Sequence, residues 1–250
     1  MGCAPSKGGK EPLAATLAKR VAVVNYGVLG KRLSGAGAEE DGAPAPDSET
    51  LFVDPCSVRF VRDPSLCPGG AGGASGAIYK FIGIDGDRGF PDDVVAQIAK
   101  EGDVAYHRYG YPTSKHVLHC VGYDLRSYAA RELGDLALSR EVARDLLSAL
   151  YASLLTLAAK LGKKRLRLVP ISSGIFAGPL ARDMPGVTAD ALLDAVDAVC
   201  RESGPDVGIV HDYVEAVEGL ELCVFKADEC AVYAAAWRDA RAKRSAREAK

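Results

Sequence analysis

Two stretches of small residues carry the chemistry most readily seen in this chain. Residues 165–179 read RLRLVPISSGIFAGP. The apolar run from Leu166 to Ile171 has the length of a buried strand. It stops abruptly at Ser172, Ser173 and Gly174, with Ile175 and Phe176 at the tip of the loop. The second stretch, GGAGGASGAIYKFIG at 69–83, sets Gly70, Ala71, Gly72 and Gly73 just ahead of a helix expected over residues 76–83. Small residues let backbone N–H groups approach an anion, and consecutive N–H groups form a concave nest for it. A helix amino end adds the positive end of its dipole. The chemistry on offer is therefore anion binding by main-chain donors. The glycine stretch has no Gly-Lys-Ser/Thr closure and no suitably placed acid, which separates it from the P-loop and from the dinucleotide fingerprint. Taken singly, each stretch also fits an ordinary turn.

Histidine and cysteine supply no metal pattern. His116 and His119 are three apart, so on a strand they face opposite sides, and His107 and His211 add no ligand spacing. No metal and no cofactor are expected. The seven cysteines are scattered without a CxxC pair, which points to free thiols in a reducing compartment. A net charge of −2 gives no case for DNA as a partner.

The elements that must position the two loops alternate between strand and helix. The 250 residues, about half of them apolar, can build one large domain or two small ones. A valine-rich strand is expected over 21–29. Residues 31–48 are mostly Gly, Ala, Pro and acid, with too little apolar surface to order themselves, and read as a mobile surface insertion. A strand region with a break at Pro55 covers 51–61. A short helix opened by Pro91 and two aspartates follows at 91–100, and a strand at 117–121. Residues 139–161 carry Val142, Leu146, Leu150, Leu154 and Leu161 at helical spacing, closed by Gly162. After the strand at 166–171, Thr188 is expected to cap a helix reaching Arg201. Residues 207–217 fit strand or helix. A strand at 220–225 and a helix from Asp228 to Lys250 end the chain. That helix carries a basic run of Arg238, Arg241, Lys243, Arg244, Arg247 and Lys250. Such alternation predicts an α/β domain with a mixed sheet between helical layers.

The first residues, MGCAPSK, match the N-myristoylation pattern through Gly2 and Ser6, and Cys3 sits where palmitoylation can follow. One myristoyl chain anchors marginally and a second acyl chain makes attachment stable. Lys7, Lys10, Lys19 and Arg20 would each add about 1 kcal/mol of attraction near an anionic surface. The expected location is the cytoplasmic face of a membrane. No signal-peptide core and no apolar run of about 18 residues is present.

In this order the two loops resemble the ligand loops of the macro domain family, which binds ADP-ribose. The second loop in that family reads Ile-Ser-(Thr/Ser)-Gly-Ile-aromatic, as Ile171 to Phe176 do here. KHVLHCVG at 115–122, preceded by GDVAYHRYGYP, resembles the family's central strand and its approach, and GLELCVFKADE at 219–229 its last strand. The resemblance spans most of 51–240. It implies a macro-domain-like three-layer α/β/α sandwich with a mixed central sheet over 20–240, between a lipidated basic tail (1–19) and a basic tail (241–250). It also implies that Gly70, Ala71, Gly72 and Gly73 cradle the diphosphate of ADP-ribose and that Ser172, Ser173, Gly174, Ile175 and Phe176 wrap it, with Phe176 on the distal ribose. Phe225 falls where the family places an aromatic against adenine, although alternation on its strand equally puts it in the core.

The departures from the family bear on activity. Asn25-Tyr26-Gly27 has no acid where members carry an adenine-binding aspartate. Val61-Arg62-Asp63-Pro64-Ser65 stands at the spacing of the Val-Asn-Ala-Ala-Asn of hydrolytic members, without its asparagines, and Ser75 replaces an acid near the end of the glycine loop. Three readings follow. One is a membrane-tethered module for ADP-ribose or an ADP-ribosylated protein. Another is an ADP-ribosyl hydrolase or ADP-ribose 1″-phosphate phosphatase with a rearranged site. The third is a lipid-anchored scaffold that binds no nucleotide.

Overall fold

The computed structural model describes residues 12–34, 37–110, 113–132, 138–201 and 207–248. Gly2 and Cys3 lie outside the described residues. The strands are β1 (Val21–Val24), β2 (Lys31–Leu33), β3 (Glu39–Asp41), β4 (Thr50–Asp54), β5 (Val104–Tyr109), β6 (Lys115–Cys120), β7 (Arg165–Leu168) and β8 (Gly219–Cys223). The helices are α1 (Leu13–Arg20), α2 (Val58–Arg62), α3 (Gly73–Ile82), α4 (Asp92–Gln97), α5 (Tyr128–Glu132), α6 (Arg140–Leu161), α7 (Met184–Cys200), α8 (Val207–Ala216) and α9 (Ala227–Glu248).

Six strands form one sheet in the order β1-β8-β7-β4-β6-β5. All neighbours are parallel except β5 and β6, which makes the sheet mixed. The central strands are buried on both faces, and so their sequences read as near-continuous apolar runs. Leu51, Val53, Leu118, Leu166, Leu168 and Leu222 face a core shared with α1, α6, α7, α8 and α9. Phe52, Val117 and Cys223 face the other way, onto Val61 of α2, Ile78, Tyr79 and Ile82 of α3 and Val94 of α4. The result is the expected three-layer α/β/α sandwich. Six cysteines among the described residues are free thiols.

Helix α6 begins where its sequence says it should. Ser139 caps it by accepting the Val142 N–H at 3.2 Å, and Gly162 leaves it in the left-handed conformation at φ 59°. By length and composition α6 would suit a membrane span, yet Leu147, Leu150, Tyr151 and Leu154 are buried in the core.

Several elements differ from expectation. Helix α7 starts at Met184 with a proline in its first turn, so Thr188 is buried inside it and caps nothing. Residues 58–62 are helix, which shortens the expected strand to β4. Val104–Tyr109 pairs with β6 as an antiparallel edge strand, where the sequence suggested only an approach segment. The 207–217 ambiguity resolves as α8. Leu13–Arg20 forms a helix that buries Leu17 and Ala18, so the ordered fold starts ahead of residue 20.

Residues 31–34 and 37–48, read from composition as a mobile insertion, carry a strand pair: β2 and β3 pair antiparallel with Lys31 opposite Asp41 and Leu33 opposite Glu39. The Gly30 carbonyl accepts the N–H groups of Gly42 at 2.8 Å and Ala43 at 2.9 Å. Gly30 is itself at φ +81°, and a Cβ there would lie 2.3 Å from the Ala43 carbonyl, so glycine is required. Beneath the hairpin, the buried Arg167 guanidinium donates to the carbonyls of Val28 and Pro44, each at 3.0 Å, and to Glu221 at 2.7 Å. The Tyr26 ring covers it at 5.3 Å. Burial, reinforced by Glu221, pushes the Tyr26 phenol up to about 12.

Candidate functional site

Because β1, β8, β7, β4 and β6 are parallel, the segments that follow them emerge along one edge of the sheet, where ligands of open α/β folds sit. The strand order sets the sequence of features along that edge: residues 25–30 and Phe225 at one end, the loop after β7 beside them, Asp54 of β4 next, and residues 121–127 after β6.

A cavity of about 290 Å³ lies at the β1–β8 end, lined by Gly27, Val28, Leu29, Gly73, Ala77 and Phe225 among others. Phe225 stands just beyond β8, half-buried, with its carbonyl accepting the Leu33 N–H at 3.3 Å. Phe225 is therefore not a fully buried core residue; it lines this cavity.

The glycine loop divides its labour. Gly70 and Ala71 spend their N–H groups on the carbonyls of Cys67 and Pro68, each at 3.0 Å, in a single tight turn. Gly72 then caps α3, and Gly73, at φ +59°, opens it. First-turn amides of a helix have no internal acceptor, so the donors of this segment are concentrated at Gly73 and the residues just after it. A Cβ at Gly72 or Gly73 would meet nothing within 4 Å, whereas one at Gly69 would strike the Asp85 carbonyl at 2.1 Å. Gly69 is there for packing, and Gly72 and Gly73 border open space.

The loop after β7 is held at its root by α6. The buried Tyr151 hydroxyl donates to the Val169 carbonyl and accepts the Ile171 N–H, both at 3.0 Å. Ser172 is the one non-glycine residue at positive φ among those described, at 58°. Its hydroxyl accepts the Tyr123 N–H at 2.9 Å, and a side chain on Gly122 would come within 2.8 Å of that oxygen. Ser173 donates to the Pro170 carbonyl at 2.6 Å. Gly174 has open space before it, and Ile175 is 75% exposed. Phe176 is half-buried, with its carbonyl accepting the Leu125 N–H at 2.9 Å and Arg126 stacked 5.0 Å from its ring. Arg126 is held by two bonds to Asp124, at 2.8 and 2.7 Å, and these hold the Asp124 carboxyl below the usual carboxylate range.

Under the glycine loop lies a buried polar chain that sequence reasoning missed. Ser75 of α3 donates to Asp54 Oδ1 at 2.7 Å, and His119 Nδ1 bonds Asp54 Oδ2 at 2.8 Å. His119 Nε2 pairs with the Tyr109 hydroxyl at 2.7 Å. Asp54 and His119 are fully buried. Both imidazole nitrogens and both carboxylate oxygens are thereby engaged. Cys56 adjoins them, close enough that its sulfur, the imidazole and the carboxylate form a group of metal-ligand types. Burial first, then Asp54, pushes its thiol well up, so the sulfur stays protonated. The signal that would have found this chain is the period-two spacing of Phe52 with Asp54 and of Val117 with His119, which puts both polar groups on one sheet face at the strand ends.

The structure thus brings Gly73 and Phe225 together in the cavity and sets Gly70, Ala71 and Gly72 directly before it in the chain. Ser172 to Phe176 occupy the neighbouring loop. Val61-Arg62-Asp63-Pro64-Ser65, by contrast, is the end of α2 and the turn after it. The residues that follow the central strand β4 are Pro55, Cys56 and Ser57. Asp63 accepts the backbone N–H and hydroxyl of Ser65 at 2.9 and 2.6 Å, bonds that lower its pKa and make it a turn residue.

No protein-family model matches this sequence, and no curated protein matches it. Solved structures do. The Trypanosoma brucei macrodomain in complex with ADP-ribose aligns at TM-score 0.51 and 17% identity, covering 88% of this chain and 70% of that one. The macrodomain of the same organism in complex with ADP aligns at TM-score 0.52 and 17% identity, covering 90% and 73%. Likeness at this identity speaks for architecture, and together with the strand order and the two loops at one sheet edge it shows that this chain has the macrodomain fold.

Proposed function

We propose that this chain binds ADP-ribose, free or carried on a protein, along the carboxyl edge of its sheet. The observation that carries the reading is the cavity itself: a largely apolar slot with Phe225 in one wall and the amino end of α3 in another. Its volume of about 290 Å³ is near the lower end of the roughly 300–1,000 Å³ of small-molecule sites. That accommodates a base and its ribose, while the diphosphate continues over Gly72 and Gly73 toward the loop at 172–176. The structural neighbours in complex with ADP-ribose and ADP are consistent with this ligand class. Calorimetric titration of the full chain with ADP-ribose, with AMP as control, tests it. Saturable binding of ADP-ribose at micromolar strength or better, well above that of AMP, is expected; no heat at millimolar ligand contradicts it.

Three observations favour holding the ligand over turning it over. Asp54 is buried and engaged at both oxygens, Asp63 is a turn acceptor, and Asp124 is tied to Arg126. These three carboxylates have partners already, and a general base must reach the proton it removes.

The same proposal places the module on a membrane through Gly2 and Cys3, as the sequence pattern suggests. Labelling cells with an alkynyl myristate analogue should mark the wild-type chain and leave Gly2→Ala unmarked and in the cytosolic fraction. An unmarked wild-type chain contradicts the tether and leaves ADP-ribose binding intact.

A further inference from the structure

The ADP-ribose reading leaves the base without an acid, since Asn25-Tyr26-Gly27 offers none. Asn25 is occupied elsewhere. Its Nδ2 donates to the carbonyls of Val224 at 3.2 Å and Phe225 at 3.4 Å, tying the end of β1 to the end of β8. The hairpin brings an acid to the cavity: Glu39, at the start of β3, is among the residues that line it, with Lys31.

The hairpin register explains the placement. Lys31, Leu33, Glu39 and Asp41 share one face, and Arg32 and Glu40 pair on the other at 2.8 Å. The Lys31 ammonium is bonded to Asp41 at 2.5 Å, so its nearest acceptor is Asp41 and not Glu39. The bond from the Leu33 N–H to the Phe225 carbonyl holds this face beside the ring that lines the same cavity. Arg167, bonded to Val28 and Pro44 below, fixes the hairpin at its base. A carboxylate can only accept hydrogen bonds. In an otherwise mostly apolar slot it favours a ligand that presents a donor and disfavours one that presents an acceptor, because two acceptors would then face each other without a proton.

We propose that Glu39 reads the exocyclic amino group of the bound base, so that the hairpin supplies the base-selecting acid absent from the end of β1. This rests on the ADP-ribose reading above, and the test separates the two. The full chain is titrated with ADP-ribose and with inosine diphosphate ribose, which carries a carbonyl oxygen in place of the adenine amino group. The wild type should bind ADP-ribose about tenfold or more tightly than the inosine compound, as expected for a hydrogen bond to a charged group. Glu39→Ala should weaken ADP-ribose about tenfold and bring the two ligands within about twofold of each other. Glu39→Gln, which can donate as well as accept, should also lose the preference. Glu40→Ala, on the opposite hairpin face, should keep it. Thermal melting of each variant confirms that the hairpin variants are folded. A wild type that binds both ligands alike, or a Glu39→Ala variant that keeps the full preference, overturns the role of Glu39 and spares ADP-ribose binding. A wild type that binds neither ligand overturns both.

Discussion

Asp54 ties the glycine loop to the sheet. One carboxylate oxygen takes the Ser75 hydroxyl of the first turn of α3, and the other takes His119, which in turn pairs with Tyr109. Removing one partner from a buried polar pair leaves the other desolvated and unpaired, at a cost of about 1–3 kcal/mol. Asp54→Ala should therefore lower unfolding stability by about that amount in a denaturant titration, and Asp54→Asn, which keeps the shape and one acceptor, by clearly less. Equal losses for the two would show that the site responds to volume alone. Asp124 makes a second prediction at this scale. Its bond to Arg126 holds its folded pKa below the ordinary value of 3.8. A depressed carboxylate contributes stability above its unfolded pKa and loses it as pH falls through the folded one. The gap in melting temperature between wild type and Asp124→Asn should hold from neutral pH down to about 3.8 and close below it. A gap that persists at lower pH contradicts the ion pair as its source. Neither Asp54 nor Asp124 was legible in the sequence as a site residue, since each draws its meaning from partners on other elements. That Ser172, Gly174 and Phe176 stand in a loop was legible, because small residues at the end of an apolar run identify a strand-end loop without tertiary information.

The hairpin shows most clearly where local reading stops. Its strands, KRL and EED, hold almost no apolar residue, and composition alone assigns such a segment to disorder. What orders it is Arg167, 123 residues beyond Pro44 in the chain, inserted between carbonyls that no local pattern reveals. Arg167→Met should leave Glu221, whose side chain is 19% exposed, without its cation and destabilise the fold by about 1–3 kcal/mol. Adding Glu221→Leu should recover much of that loss, since an apolar pair of similar volume replaces a buried ion pair at little cost. The single variant should also expose the chain to tryptic cleavage after Lys31 or Arg32 under conditions that leave the wild type intact. Unchanged cleavage would mean that the hairpin holds its place without Arg167. The edge strand β5 was missed for a related reason. VAYHRY sets His107 and Arg108 side by side, which breaks any apolar alternation, and its strand character comes from pairing with β6. Helices α6 and α7 need no such help, since each buries a long apolar stripe whose spacing is local.

For the molecule as a whole, the alternation of strands and helices was enough to specify a mixed sheet between two helical layers, and the sheet places both loops at one edge. The ligand reading depends on that shared edge more than on any side chain, because the donors are largely main-chain N–H groups. Gly174 allows it to be tested without disturbing the fold: a Cβ there would meet no atom within 4 Å, so a glutamate side chain extends into open space at the loop tip. The measurement to make is calorimetric titration of wild type and Gly174→Glu with ADP-ribose, beside a thermal melt of each. Saturable binding by the wild type, lost in a variant that melts at the same temperature, is the expected result. Undiminished binding by Gly174→Glu, or no binding by the wild type, would contradict a ligand lying across these two loops.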